Sequence, residues 1–203
     1  MLFLGFAKGE DVSFFRPVFL RAFGRPQGVL GLIGGKIMAN MNAPCAAWAI
    51  GLLEVRASDR VIEIGFGPGV GIQLLAQKAT AGMIAGVDPS REMIAQAAAR
   101  NAPAIARGQV DLRQGLAGRL PFDEDTFDKA LAVNSMQVWP DPAAGLAELR
   151  RVMKPGATLV LAFTIHSGQQ QSGLLERVTG AGFADAKLTQ KGDDAFCVIA
   201  SKP

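Results

Sequence analysis

The sequence predicts an α/β fold: a mostly parallel, doubly wound sheet of seven strands, with helices on both faces and an antiparallel C-terminal edge strand. Three observations point to it. From residue 60 onward, short apolar, β-branched runs alternate with segments of helical length, the pattern of repeated strand–helix–strand units. The runs are apolar almost without interruption, as strands covered on both faces are. The chain then ends on two strand-like segments, "FADAKLTQ" and "AFCVIASK", on either side of "KGDD", which reads as a terminal hairpin.

The elements follow in order. "RVIEIGF" (60–66) is a buried strand and "GIQLLAQKA" (71–79) a helix. "GMIAGVD" (82–88) is a second strand, and "SREMIAQAAARN" (90–101) a helix with Ser90 as its N-cap. "QVDLRQ" (109–114) and "FDKALAVN" (127–134) are the third and fourth strands. "DPAAGLAELRRVM" (141–153) is a helix with Pro142 in its first turn and Pro155-Gly156 just past its end. "ATLVLAFT" (157–164) is the fifth strand, and a helix near 170–181 precedes the hairpin. Residues 1–58 are less regular: "GRPQGVLGLIGGK" (24–36) is a Gly-rich loop, and "APCAAWAIGLLEV" (43–55) a helix with Asn42 as cap and Pro44 in its first turn. The chain therefore divides into an N-terminal helical or lid segment, 1–58, packed on a ligand-binding domain, 59–203.

Composition narrows the function. Hydrophobic residues are 49% and charged residues 19% of 203, a globular balance that needs no disulfide or metal staple. The net charge of +3 is mild, and Arg100, Arg107, Arg113, Arg119, Arg150 and Arg151 form no long run, so a nucleic-acid partner is not expected. Cys45 and Cys197 stand far apart with no metal-like spacing, which fits reduced thiols in the cytoplasm. The N-terminus lacks a basic region ahead of its apolar run, and no stretch is long and apolar enough to be a membrane span.

"VIEIGFGPGVG" (61–71) places four glycines in its last seven positions, directly behind the first strand. A Gly-rich turn between a first strand and a first helix puts main-chain N–H groups at the sheet's C-terminal edge, where ligands of such folds bind. A dinucleotide fingerprint, G-x-G-x-x-G, fails: counting from Gly65 its sixth position is Val70, and from Gly67 it is Ile72. A phosphate loop fails as well, because Gly35-Lys36 is followed by Ile37 and Leu30 stands where the first glycine belongs. What remains is Glu63-x-Gly65-x-Gly67-x-Gly69 with Asp88 at the end of the second strand. A carboxylate there accepts hydrogen bonds from both hydroxyls of a ribose. A ribose without phosphate-binding machinery points to a nucleoside-like cofactor.

At these residues the sequence resembles a known family, the class I S-adenosylmethionine-dependent methyltransferases of the small-molecule, type 11-like kind. "VIEIGFGPG", "GVDPSREMIAQA", "LPFDEDTFDKALAVNSMQVWPDP" and "LAELRRVMKPGATLVLAF" carry it, in the family's order and spacing. The resemblance implies a Rossmann-like sheet whose last strand is antiparallel, and S-adenosyl-L-methionine as cofactor. It implies that Gly65, Gly67 and Gly69 line the methionine moiety, with Glu63 beneath the turn ordering it, and that Phe66 is among the cofactor-binding residues. Asp88 would hold the ribose hydroxyls, and Pro89 and Met93 would pack on the adenine. Ala117 would offer its backbone N–H to the adenine edge, and Asn134 would lie near the sulfonium and the incoming acceptor. Leu116 departs from the pattern, since many relatives carry an acidic residue there that accepts from the adenine amine.

The chemistry asks for alignment of nucleophile, methyl carbon and sulfur. A base is needed only for a protonated nucleophile. His166, the single histidine, follows the fifth strand in "AFTIHSG" on the glycine-loop edge; it reads as a surface histidine capping a loop, or as that base. Trp139 reads as a packing residue or a substrate platform, and Asp123, Glu124 and Asp125 as a solvated turn. "VLGLIGGKIMANMNAP", with Ile37, Met38 and Met41, reads as a lid or a packing arm. No carboxylate cluster suggests a metal. "NSMQ" stands where amino-methylating nucleic-acid enzymes carry [ND]-P-P-[YFW], and no paired-glutamate loop of the arginine-methylating kind follows the fourth strand. The expectation is methyl transfer to a small molecule by in-line displacement. A catalytically silent cofactor-binding module or partner subunit is the first alternative, and a nucleotide-dependent oxidoreductase the second.

Overall fold

The structure, a computed structural model, describes residues 42–203. The expected Gly-rich loop at 24–36 and the lid residues Ile37, Met38 and Met41 lie outside the described residues. Helix α1 (42–52) turns Cys45, Ala46, Ala49 and Ile50 inward, and these pack with Leu53 against the sheet residues Val61, Leu131, Val133 and Val160. Strand β1 (Arg60–Ile64) leads to α2 (Val70–Lys78), β2 (Met83–Asp88), α3 (Arg91–Arg100), the short α4 (Ala102–Ala106) and β3 (Val110–Gln114). The chain then crosses to β4 (Phe127–Val133), α5 (Pro142–Val152), β5 (Met153–Thr164), α6 (Leu174–Gly180) and the hairpin of β6 (Ala184–Lys191) and β7 (Ala195–Ser201). Two 3₁₀ turns, Met136–Val138 and Ile165–Ser167, follow β4 and β5.

The seven strands run in the order β3-β2-β1-β4-β5-β7-β6. Strands β1 to β5 are parallel, and β7 is antiparallel to both β5 and β6. The antiparallel strand is therefore the last in sequence but not the outermost in space. Burial explains the exchange. "AFCVIAS" is buried along nearly its whole length and suits an interior strand, whereas "ADAKLTQK" alternates and carries lysines, which suits an edge.

Side chains alternate across β1. Ile62 and Ile64 join the core under α5 and α6, while Val61 joins the core under α1, α2 and α3. Ser90 caps α3 by accepting from the Met93 N–H at 3.3 Å, and Asp141 caps α5 by accepting from Ala143 and Ala144. The strand order reverses between β1 and β4, which opens a crevice at their carboxyl ends.

Candidate functional site

The turn from β1 to α2 lies at that crevice. Gly65, Gly67 and Gly69 all have positive φ, at 71°, 53° and 79°. At Gly67 the left-handed backbone would strain another residue, and a Cβ built there meets no atom within 4 Å. The turn thus presents bare main chain to open space. Gly69 serves a different end: its Cβ would lie 2.6 Å from that of Ala97, so glycine lets α3 close on the turn. Asn101, at the end of α3, donates from Nδ2 to the Gly69 carbonyl at 3.1 Å, and Arg100 donates from Nε to that of Pro68 at 2.9 Å.

The side-chain carboxylate that fixes the turn is Asp88, where the sequence suggested Glu63. Asp88 Oδ2 accepts from the Gly67 N–H and Oδ1 from the Ser90 N–H, both at 2.9 Å. One carboxylate thus ties the glycine turn to the start of α3, and each oxygen keeps a further lone pair. Burial raises the Asp88 pKa, and the two backbone donors oppose the rise. Glu63 is buried, its Oε2 has no hydrogen-bond partner among the described residues, and burial with the nearby Asp88 charge pushes its pKa up to about 8. It borders a small cavity of about 60 Å³ shared with Asn42, Ala46, Phe66, Gly67 and Asn134.

A cavity of about 490 Å³ opens beside the turn. Gly65 and Gly67 form one wall, Asp88, Pro89 and Met93 a second, and Leu116 and Ala117 a third. Asn134, Ser135, Val138 and Trp139 close the side beyond β4. Leu116 is half exposed at the rim and Ala117 is buried. The structure thus brings most of the sequence-derived candidates into one space, with Glu63 and Phe66 in the adjoining small cavity and Gly69 behind the turn. Trp139 both lines the cavity and packs on Gly145.

His166 is outside this set. It is exposed on the turn after β5 and is not among the cavity-lining residues. Asn134 lines the cavity, but its carboxamide is engaged: Nδ2 donates to Asn42 Oδ1, and Oδ1 accepts from the Thr164 N–H, both at 2.8 Å. Its own φ is 48°, and its carbonyl accepts from Gln137 Nε2. Ser90, Glu92, Gln114 and Val138 line the cavity without having been picked from the sequence. The first two continue "VDPSREM", so adjacency to Asp88 was the available signal; Gln114 and Val138 follow from β3 ending at the cavity and from the 3₁₀ turn. Among the described residues no group of side chains could hold a metal ion, and no helix is long and apolar enough to cross a membrane.

Comparison with known proteins fits this geometry. The model of a methyltransferase domain family matches residues 62–161. An uncharacterized methyltransferase of Bacillus subtilis, YdaC, is 28% identical over 186 residues, which cover 85% of this chain and 99% of that protein. The chain is a class I S-adenosylmethionine-dependent methyltransferase. A chloroplastic 2-methyl-6-phytyl-1,4-hydroquinone methyltransferase of rice is 28% identical over 66% of this methyltransferase and 41% of its own length. The crystal structure of an S-adenosylmethionine-dependent methyltransferase from Aquifex aeolicus superposes with a TM-score of 0.71 at 18% identity, over 78% of this chain and 89% of that one, and shares the fold.

The residues present fit S-adenosylmethionine, the cofactor of this methyltransferase. The open face of Gly67 and the spare lone pairs of Asp88 offer close approach for a ligand and acceptors for its hydroxyls.

Proposed function

We propose that this methyltransferase acts in the cytoplasm on a small molecule with an apolar body, and that alignment rather than an active-site base carries the reaction. The observation behind this reading is where apolar surface is left uncovered. Among the described residues the exposed large hydrophobic side chains are Leu116, Val138 and Ile165. They follow β3, β4 and β5 in turn, so all three stand at the carboxyl edge of the sheet, and Leu116 and Val138 line the cavity while Ile165 lies outside its lining. Apolar side chains gathered at the mouth of a site favour an apolar ligand. The rice relative, whose name gives a prenylated hydroquinone as its substrate, supports the same class. Buried, unpaired Cys45 and Cys197 suit a reducing compartment.

In this reading Gly65 and Gly67 receive the methionine portion of the cofactor and Asp88 accepts from its ribose. Pro89, Met93, Leu116 and Ala117 enclose the heterocycle. The bound sulfonium supplies an electrophilic methyl group. The chain then has to hold the acceptor in line and keep water out. Asn134, held from both sides, shapes the wall beside the reacting atoms. His166, exposed and outside the lining, has no assigned part.

Incubation with methyl-labelled cofactor and a panel of acceptors tests this. Prenylated hydroquinones and long-chain phenols should take label, and short polar phenols, peptides and transfer RNA should take little. Transfer confined to peptides or RNA would overturn the reading.

A further inference from the structure

The third wall of the cavity is a loop. Residues 115–122, the first part of the connection from β3 to β4, bring Leu116 and Ala117 to the cavity and contain no regular element beyond the single bridge from Leu116 to Arg119. A segment of this kind keeps its place only if other elements hold it.

Helix α5 does so along one face. Gly145, Glu148 and Arg151 recur every third residue on it. A Cβ on Gly145 would stand 2.5 Å from the Trp139 ring and 3.2 Å from the Ala117 Cβ, so both wall residues rest on this glycine. Glu148 Oε2 accepts from the Leu120 N–H at 2.8 Å. Arg151 donates to the Leu120 carbonyl at 3.1 Å and to the Phe122 carbonyl at 2.9 Å. The two side chains meet in a fork, Nε to Oε1 at 2.7 Å and Nη2 to Oε2 at 2.8 Å. Neither Glu148 nor Arg151 lines the cavity. As an ion pair they are partly exposed, with side chains 21% and 37% accessible, so their mutual attraction adds little to stability. Their three bonds to the loop's main chain are what the pairing preserves.

We infer that the Glu148–Arg151 fork positions loop 115–122, and through it sets how tightly the methyltransferase holds the heterocycle of its cofactor. They are positioning residues, acting through Leu120 and Phe122 on a wall they do not form. The inference rests on the reading that this cavity holds S-adenosylmethionine. Arginine is required because lysine cannot span two carbonyls and a carboxylate at once.

The test compares Arg151→Gln, Arg151→Lys and Glu148→Gln with wild type, and with Arg150→Gln as a control, since Arg150 contacts the Gly182 carbonyl instead of the loop. S-adenosylhomocysteine is titrated calorimetrically, and amide hydrogen exchange is followed without ligand. Each loop variant should bind about 10-fold more weakly, a size normal for residues coupled to a site through packing and hydrogen bonds. Amides of 116–122 should exchange faster while those of the glycine turn keep the wild-type rate. Arg150→Gln should match wild type. Wild-type affinity in the folded loop variants would overturn the inference, as would weaker binding with faster exchange across the whole domain. Should Arg151→Gln not fold, the two conservative variants decide alone. Failure of wild type itself to bind would instead overturn the cofactor assignment on which the inference depends.

Discussion

Glu63 is a buried carboxyl group close to the charge of Asp88, with one oxygen unpartnered among the described residues. Burial and the Asp88 charge raise its pKa to about 8 from an ordinary value of 4.5. The folded chain therefore holds this proton over a range in which the unfolded chain releases it. Where the folded state binds more protons, stability falls as pH rises. The unliganded protein should thus lose a few kcal/mol between about pH 5 and pH 8. Glu63→Gln should remove most of that slope and be the more stable form at pH 8. Asp88, also raised, keeps the remainder. Urea midpoints measured across this range check it, and an unchanged slope in the variant would contradict it. Glu63 and Asp88 were both legible in the sequence as a pair at a glycine turn. The division of labour between them was not: a carboxylate at a strand end suits a ribose or two backbone N–H groups equally, and only the folded turn shows Gly67 and Ser90 donating to Asp88.

At the scale of elements, α3 does as much for the site as the glycine turn it braces. Asn101 is buried, and its Nδ2 donates to the carbonyls of Gly69 and Ala97. Asn101→Ala removes one donor from each carbonyl, although Gly69 keeps the Gln73 N–H and Ala97 the Asn101 N–H, and should destabilise the domain by about 1 kcal/mol. Asn101→Asp should destabilise it more, because a carboxylate would face two carbonyl oxygens. Denaturant unfolding of both variants gives the order, and a milder effect for Asp than for Ala would count against the brace. The helices around the turn were readable from their periodicity and caps, with Ser90 in place as N-cap. Helix α4 was not, since "APAIA" is too short to show a period and begins beside the end of α3. The N-terminal limit of β5 was missed by four residues, because "MKPG" reads as a helix end although Met153 pairs with Phe127. The place of β7 inside β6 was written in its unbroken apolar run, but a hairpin is ordinarily drawn with its last strand outermost.

For the molecule as a whole, alternating strands and helices dictate a parallel sheet, and a parallel sheet whose order reverses beside β1 dictates where a ligand enters. That chain of consequence made fold and cofactor class readable in advance. The acceptor was not readable in the same way. Its side of the site comes from loops after β3, β4 and β5, where no spacing rule ties residue type to ligand. We propose that the bare main chain at Gly67 receives S-adenosylmethionine. Calorimetric titration of this cofactor into wild type and Gly67→Val tests it most directly. Valine places a branched side chain in the open space beside the turn and strains a left-handed backbone by about 1–2 kcal/mol, which a stable domain tolerates. Saturable binding to wild type, weakened at least about 10-fold in a variant that still unfolds cooperatively, is the predicted result. Equal affinity in the two proteins, or no binding to wild type, would contradict it.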